Sequence, residues 1–274
     1  MTKFILPFLL TTVMYANNAF TLGYQHLNFD NSKKKDNGNR VSVHLKYQQS
    51  TNIYQIAYEN THTNTLQPPL HKDLHVDKLY LHYTKILNQT QALSFYFGTL
   101  EDNIMKQANN AKMYGIDYRY QNFNFTQYYT HFKHFDVYQS DIAYHHTFNL
   151  DTFKIKSTII AKYINLNNKN SNPFSKNAKD HYLTSGIKLH ALYKKYHFGV
   201  GGFVGKRVFG IMNNGFVLQH HAMEFNKTLF AGVGKKFGDI DITLKYIYQR
   251  ATELPINNKN VKVDNISVMM KYSF

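Results

Sequence analysis

The chain has 274 residues, no cysteine, and 32 Lys and Arg against 17 Asp and Glu, for a formal charge of +15. This length suits one large domain or one barrel. The lack of thiols excludes disulfides and thiolate metal sites, and the charge points to anionic partners. Tyr (22) and Phe (21) are abundant while Trp is absent. Tyrosine joins an apolar ring to a polar tip, which suits a membrane–water boundary.

The first residues read as a secretory signal peptide. Lys3 supplies the positive start, Phe4 to Tyr15 is a short apolar run, and Ala16 or Ala19 supplies the small residue before the cut. A helix that spans a bilayer needs about 20 apolar residues, and this run is shorter. The expected organisation is a signal over 1–19 and a single transmembrane domain over 20–274. No later segment reads as a transmembrane helix, because Lys, His or Gln interrupts the longest apolar stretches every few residues. Export argues against nucleic acid, the other common partner of a basic chain.

From Phe20 onward apolar and polar residues alternate with period two, the pattern of strands with one oily and one wet face. The alternation predicts strands over 20–29, 39–49, 52–60, 75–87, 90–99, 111–121, 123–132, 137–147, 151–164, 181–193, 195–206, 218–237, 239–250 and 262–274. Early in the chain Val41, Val43, Leu45 and Tyr47 oppose Ser42, His44, Lys46 and Gln48. In the middle, Tyr114, Ile116, Tyr118 and Tyr120 oppose Met113, Gly115, Asp117 and Arg119. At the end, Ile266, Val268, Met270, Tyr272 and Phe274 oppose Asn265, Ser267, Met269, Lys271 and Ser273. The 123–132 segment can turn either parity outward. The 218–237 segment is too long for one plain strand and calls for a bulge or an extension beyond the bilayer. The glycines of FGVGGFVG (198–205) sit in a strand with no following helix, so they permit curvature or close lumen contact rather than phosphate binding.

Short connections fall near 50–51, 88–89, 121–122, 149–150, 194 and 238. Longer ones fall at 30–38, 61–74, 100–110, 165–180, 207–217 and 251–261. They alternate, except for a short link near 133–136 where a long one is due. Membrane barrels have tight periplasmic turns, longer outside loops and an even strand count. A soluble sandwich has no reason to alternate loop lengths, nor to run strands well beyond the usual ~5–6 residues. The expected fold class is all-β, an antiparallel transmembrane β-barrel of about 14 strands, with 12 or 16 as alternatives.

The C-terminal VDNISVMMKYSF, ending in Phe274, resembles the last strand of Gram-negative outer-membrane proteins of the porin-like class. That resemblance implies residence in the outer membrane, recognition of Phe274 by the outer-membrane insertion machinery, and lipid and lipopolysaccharide as neighbours.

If the oily face meets lipid, the wet face lines the lumen. The pore-lining candidates are Lys46, Arg119, Lys154, Lys156, Lys162, Lys188, Lys245 and Lys271, with Glu59, Asp117 and Asp241 as acids; Lys78, Lys206, Lys236, Asp141 and Glu224 share that parity. Basic rings favour anions, so the expected function is passive diffusion of small hydrophilic, anionic solutes. A barrel enzyme of lipase or protease type and a surface adhesin are the alternatives. Ser140, Asp141 and His145 lie close in sequence, but no nucleophile elbow or HExxH motif accompanies them. The expectation is therefore no catalysis and no cofactor. His145–His146 and His220–His221 are tandem pairs, and neighbours on a strand face opposite sides, so no metal site is expected. His190 and His197 could meet across neighbouring strands. Any of the long loops could fold inward.

Overall fold

The structure is a computed structural model that describes residues 18–68, 70–106, 108–169, 175, 177–254 and 256–274. The expected signal peptide up to residue 17, with its cut after Ala16, lies outside them.

Fourteen strands close into an antiparallel barrel. They are β1 (Ala19–Asp30), β2 (Lys35–Gln49), β3 (Asn52–Thr65), β4 (Leu74–Ile86), β5 (Gln91–Asp102), β6 (Ala111–Tyr120), β7 (Phe123–His131), β8 (Asp136–Leu150), β9 (Phe153–Asn167), β10 (His181–Tyr193), β11 (Tyr196–Arg207), β14 (Met223–Phe237), β15 (Ile240–Glu253) and β16 (Asn258–Ser273). Two further strands, β12 (Ile211–Met212) and β13 (Val217–Leu218), pair only with each other. Closure joins β1 to β16 from Ala19↔Ser273 to Asp30↔Lys262. Closing a sheet leaves no edge of unpaired backbone groups, which hydrocarbon would not tolerate.

The strands carry their large hydrophobics outward. Ile159, Leu183, Val204 and Ile266 are each more than half exposed. In water such a belt would drive association; in a bilayer it is the lipid-facing surface. On β9 it runs from Phe153 to Tyr163, which at a tilt of about 40° covers about 25 Å along the barrel axis. Tyrosines mark its outer border. Tyr24 donates to Asn39 at 2.8 Å, Tyr129 donates to Asp136 at 2.9 Å, and Tyr163 bonds His181 at 2.8 Å. Tyr58 and Tyr246 make the same reach to Asp77 and Asp264. Each hydroxyl ties the oily belt to a polar collar just beyond it, and residues beyond this collar stand outside the membrane.

At the other end the connections are tight, and several place one residue in the left-handed region: Ser50, Gln121, Asp151, Lys194 and Gly238. The 132–135 link is short, as its spacing suggests. Its Phe132 and Phe135 rings stack at 4.6 Å and turn into the lumen core. On β7 the odd residues face out, with Phe123 and Phe125 exposed and Tyr128 and Thr130 buried. The long 218–237 segment resolves into two pieces. Val217–Leu218 belongs to the small hairpin, and the wall strand starts only at Met223, with a register shift between Phe225 and Lys227.

The apolar core lies inside the barrel, toward the end with the longer loops. Leu74, Val76, Tyr80, Leu100, Met113, Phe132, Ile164 and Tyr182 from the wall pack with Val208, Phe209, Ile211 and Leu218 from the segment after β11. That segment is an inward-folded loop, and it is part of what the barrel closes around.

Candidate functional site

The inward loop, residues 208–222, occupies the lumen against β4, β5, β8 and β9. The wall supplies its hydrogen bonds. Ile211 N–H donates to Gln139 Oε1 at 2.7 Å, and Ile211 C=O accepts from Gln139 Nε2 at 2.8 Å. One carboxamide thus completes both backbone groups of Ile211, as a neighbouring strand would. Lys162 Nζ also donates to Ile211 C=O, at 3.2 Å, and Leu218 N–H donates to the Tyr80 hydroxyl at 3.0 Å. The loop's tip turns through Asn213, Asn214 and Gly215, all at positive φ. A Cβ on Gly215 would stand 2.5 Å from the Tyr96 ring, so this position needs glycine for space as well as for φ. Phe216 then packs between His44, at 5.0 Å between ring centres, and His82, at 5.6 Å.

The loop leaves open the side of the lumen walled by β10, β11, β14–β16 and β1–β3. There a cavity of about 630 Å³ runs between loop and wall. Its charged lining is Lys35, Arg40, Lys78, Lys188, Arg207 and Lys245, against the single carboxylate Glu59. Its apolar lining includes Phe203, Phe225 and Phe230. Gly186 and Gly201 let two of these rings lie flat, since a Cβ on either would stand within 2.6 Å of Phe203 or Phe230. Gly205, at φ +95°, carries the register shift that brings Arg207 into the cavity wall.

Arg207 is 1% exposed. It donates to Thr228 at 2.6 Å, and its guanidinium lies over the Phe203 and Phe225 rings. Its Nε and Nη1 find no acceptor among the described residues. A buried cation is normally paired, and this one has two buried donors without an acceptor among the described residues.

The sequence-derived lumen residues separate into two levels. Toward the outer end, acids and bases pair. Glu59 holds Lys78 at 2.7 Å and Arg40 at 3.4 Å, Asp141 holds Lys162, and Glu224 holds Lys206 at 2.6 Å. Toward the short-turn end, Lys46, Arg119, Lys154, Lys156 and Lys271 stand on the inward parity, with Lys188 and Lys245 above them. None of the seven forms an ion pair among the described residues. The acids at this end are engaged elsewhere: Asp241 with His197 at 2.8 Å, and Asp117 with Asn124 and Thr126. Lys236 lies opposite Asp241 in the β14–β15 register.

Ser140, Asp141 and His145 do not converge. Ser140 exchanges hydrogen bonds with Gln127 on the outer face, Asp141 pairs with Lys162 inside, and His145 contacts Thr158 at 2.9 Å. His190 and His197 do approach, with ring centres 5.5 Å apart. The strand rule holds for His145–His146 but does not extend to His220–His221, which lie in the inward loop beside Asp102. Burial, with Lys78 and Lys35 nearby, holds His220 well below the usual histidine range. Sequence reading did not single out Lys35, Arg40, Arg207 or Phe216. A signal for the loop is present in IMNNGFVL (211–218), where Asn-Gly between apolar pairs marks a tight hairpin.

No family model matches this chain, and no curated relative matches it. Solved structures do. The outer membrane protein Omp33 of Acinetobacter baumannii aligns over 94% of this chain and 99% of its own, at 9% identity and a TM-score of 0.53. A Pseudomonas aeruginosa FadL homologue aligns over 94% and 90%, at 8% identity and a TM-score of 0.57. A deletion mutant of TodX, a monoaromatic hydrocarbon channel, aligns over 95% and 91%, at 8% identity and a TM-score of 0.58. The chain has the fold of the bacterial outer-membrane β-barrels.

Proposed function

We propose that this outer-membrane barrel is a channel for passive diffusion of small hydrophilic anions. Their route passes through the basic vestibule at the short-turn end and along the cavity beside the inward loop. The observation that carries this reading is the lining of that cavity, with six bases against one carboxylate and the buried Arg207 left with unsatisfied donors. Low-dielectric walls focus the field of such a lining and raise the local anion concentration. The Arg207 guanidinium, sealed over the Phe203 and Phe225 rings, adds its charge to that field without touching the permeating ion. No covalent step is assigned to any residue.

Planar bilayers test this directly. The refolded barrel in a KCl gradient should give discrete conductance steps with a reversal potential on the chloride side. Lys154→Glu combined with Lys156→Glu should move it toward potassium. A silent barrel, or a cation-preferring wild type, would sink the reading.

The aromatic lining supports a second reading, passage of small aromatic molecules, which is the role TodX carries in its name. A barrel without conductance that speeds entry of a small aromatic solute into proteoliposomes would favour it over the first.

A further inference from the structure

Asp102, at the end of β5, and His220 and His221 of the inward loop bring three ligand atoms within 4.8 Å of one another. We propose that they form a site for a divalent transition-metal ion of the zinc type, which fastens the inward loop to the barrel wall.

The geometry of Asp102 comes first. Its side chain is fully buried. Its Oδ1 accepts the N–H groups of Ile104 at 2.9 Å and Met105 at 2.7 Å, which fixes the carboxylate's orientation. Its Oδ2 is left facing His220 Nε2 at 3.5 Å and His221 Nε2 at 3.8 Å. All three of these atoms are buried and lack a hydrogen-bond partner. Native interiors rarely leave one such atom, and three that face each other share a missing partner. Tetrahedral zinc holds nitrogen and oxygen ligands at about 2.0–2.2 Å, which sets those ligands about 3.3–3.6 Å apart. The two spacings to Asp102 Oδ2 need only a small contraction to meet that.

Two neighbouring histidines converge here because the backbone at 220–222 is irregular; the rings sit 3.9 Å apart between centres, at 62°. Lys35 Nζ lies against Nδ1 of His221, the ring nitrogen away from Asp102. Lys78, the other nearby cation, is already neutralised by Glu59. Two imidazoles and one carboxylate suit zinc, copper, nickel or iron rather than calcium or magnesium. Both histidines line the cavity, so a fourth position is open to water or to a passing anion.

Cobalt(II) is the probe. Titrated into the refolded full-length barrel in detergent, it should bind once per chain with the intense visible absorption of a four-coordinate ion, and zinc should displace it. His62, His75 and Asp73 also cluster, but on the outer surface, so His62→Gln with His75→Gln serves as the background and should bind unchanged. In that background Asp102→Asn or His220→Gln should lose the absorption while remaining a folded, heat-modifiable barrel. Zinc X-ray absorption of the background protein reads the same shell without touching a ligand, and two imidazoles are expected. Absence of cobalt binding, equal binding by folded Asp102→Asn, or a zinc shell with fewer than two imidazoles would each overturn the site.

Discussion

Glu59 and Lys78 show how a lumen charge can be structural rather than selective. Their side chains are 9% and 2% exposed and meet at 2.7 Å. Removing one member of a buried pair strands the other, while removing both together is often close to neutral. Arg40, at 3.4 Å from Glu59, remains as a partial substitute. Lys78→Met should therefore destabilise the barrel by about 3 kcal/mol, the low end for a broken buried pair. Glu59→Leu added to Lys78→Met should restore most of that loss. Equilibrium urea unfolding in lipid vesicles measures both, and an additive double variant would show that the pair does not act as a unit. Parity alone places Lys78 and Lys188 in the same class. Their partners separate them, since Lys188 lies over the Phe203 ring with no carboxylate paired to it.

In the proposed channel, the inward loop is the element that would narrow the passage. Its small hairpin adds no rung to the wall, and Arg207 already faces Phe225 across β11 and β14. A short Gly/Ser link from Val208 to Met223 should therefore close the wall without it. The expected outcome is a folded, heat-modifiable barrel with a larger conductance step and weaker ion selectivity. An unchanged step would mean that the loop does not narrow the conducting path. Sequence reading placed a long connection at 207–217 and saw that 218–237 was too long for a strand. It did not join the two observations, because the apolar Leu218 reads as the start of a strand whether it pairs with the wall or with Ile211. The outer-side link at 132–135 is short for a related reason: Phe132 and Phe135 turn inward against Phe209 instead of extending outward.

For the whole molecule, the proposed anion preference rests on the field of lysines at the short-turn end that form no ion pair among the described residues, with paired charges at the outer end. Such a field is screened by salt, with a Debye length of about 10 Å at 0.1 M and about 3 Å at 1 M. The chloride preference should therefore fall toward parity when bilayer recordings move from 0.1 M to 1 M KCl. A preference that survives 1 M salt would place selectivity in short-range contacts along the lining instead of in the long-range field.

The opening strand from Phe20, the closing strand up to Phe274, the parity of nearly every strand between them and the alternation of connection lengths were all readable from the chain. They rest on local physics: adjacent side chains point to opposite sides, and lipid demands one oily face. What only the tertiary structure decided is what fills the lumen. Gln139 meets Ile211, Tyr80 meets Leu218, and Asp102 meets His220 across separations of 72, 138 and more than a hundred residues. No periodicity encodes such pairs, because they exist only once closure of the barrel brings its opposite walls around one loop.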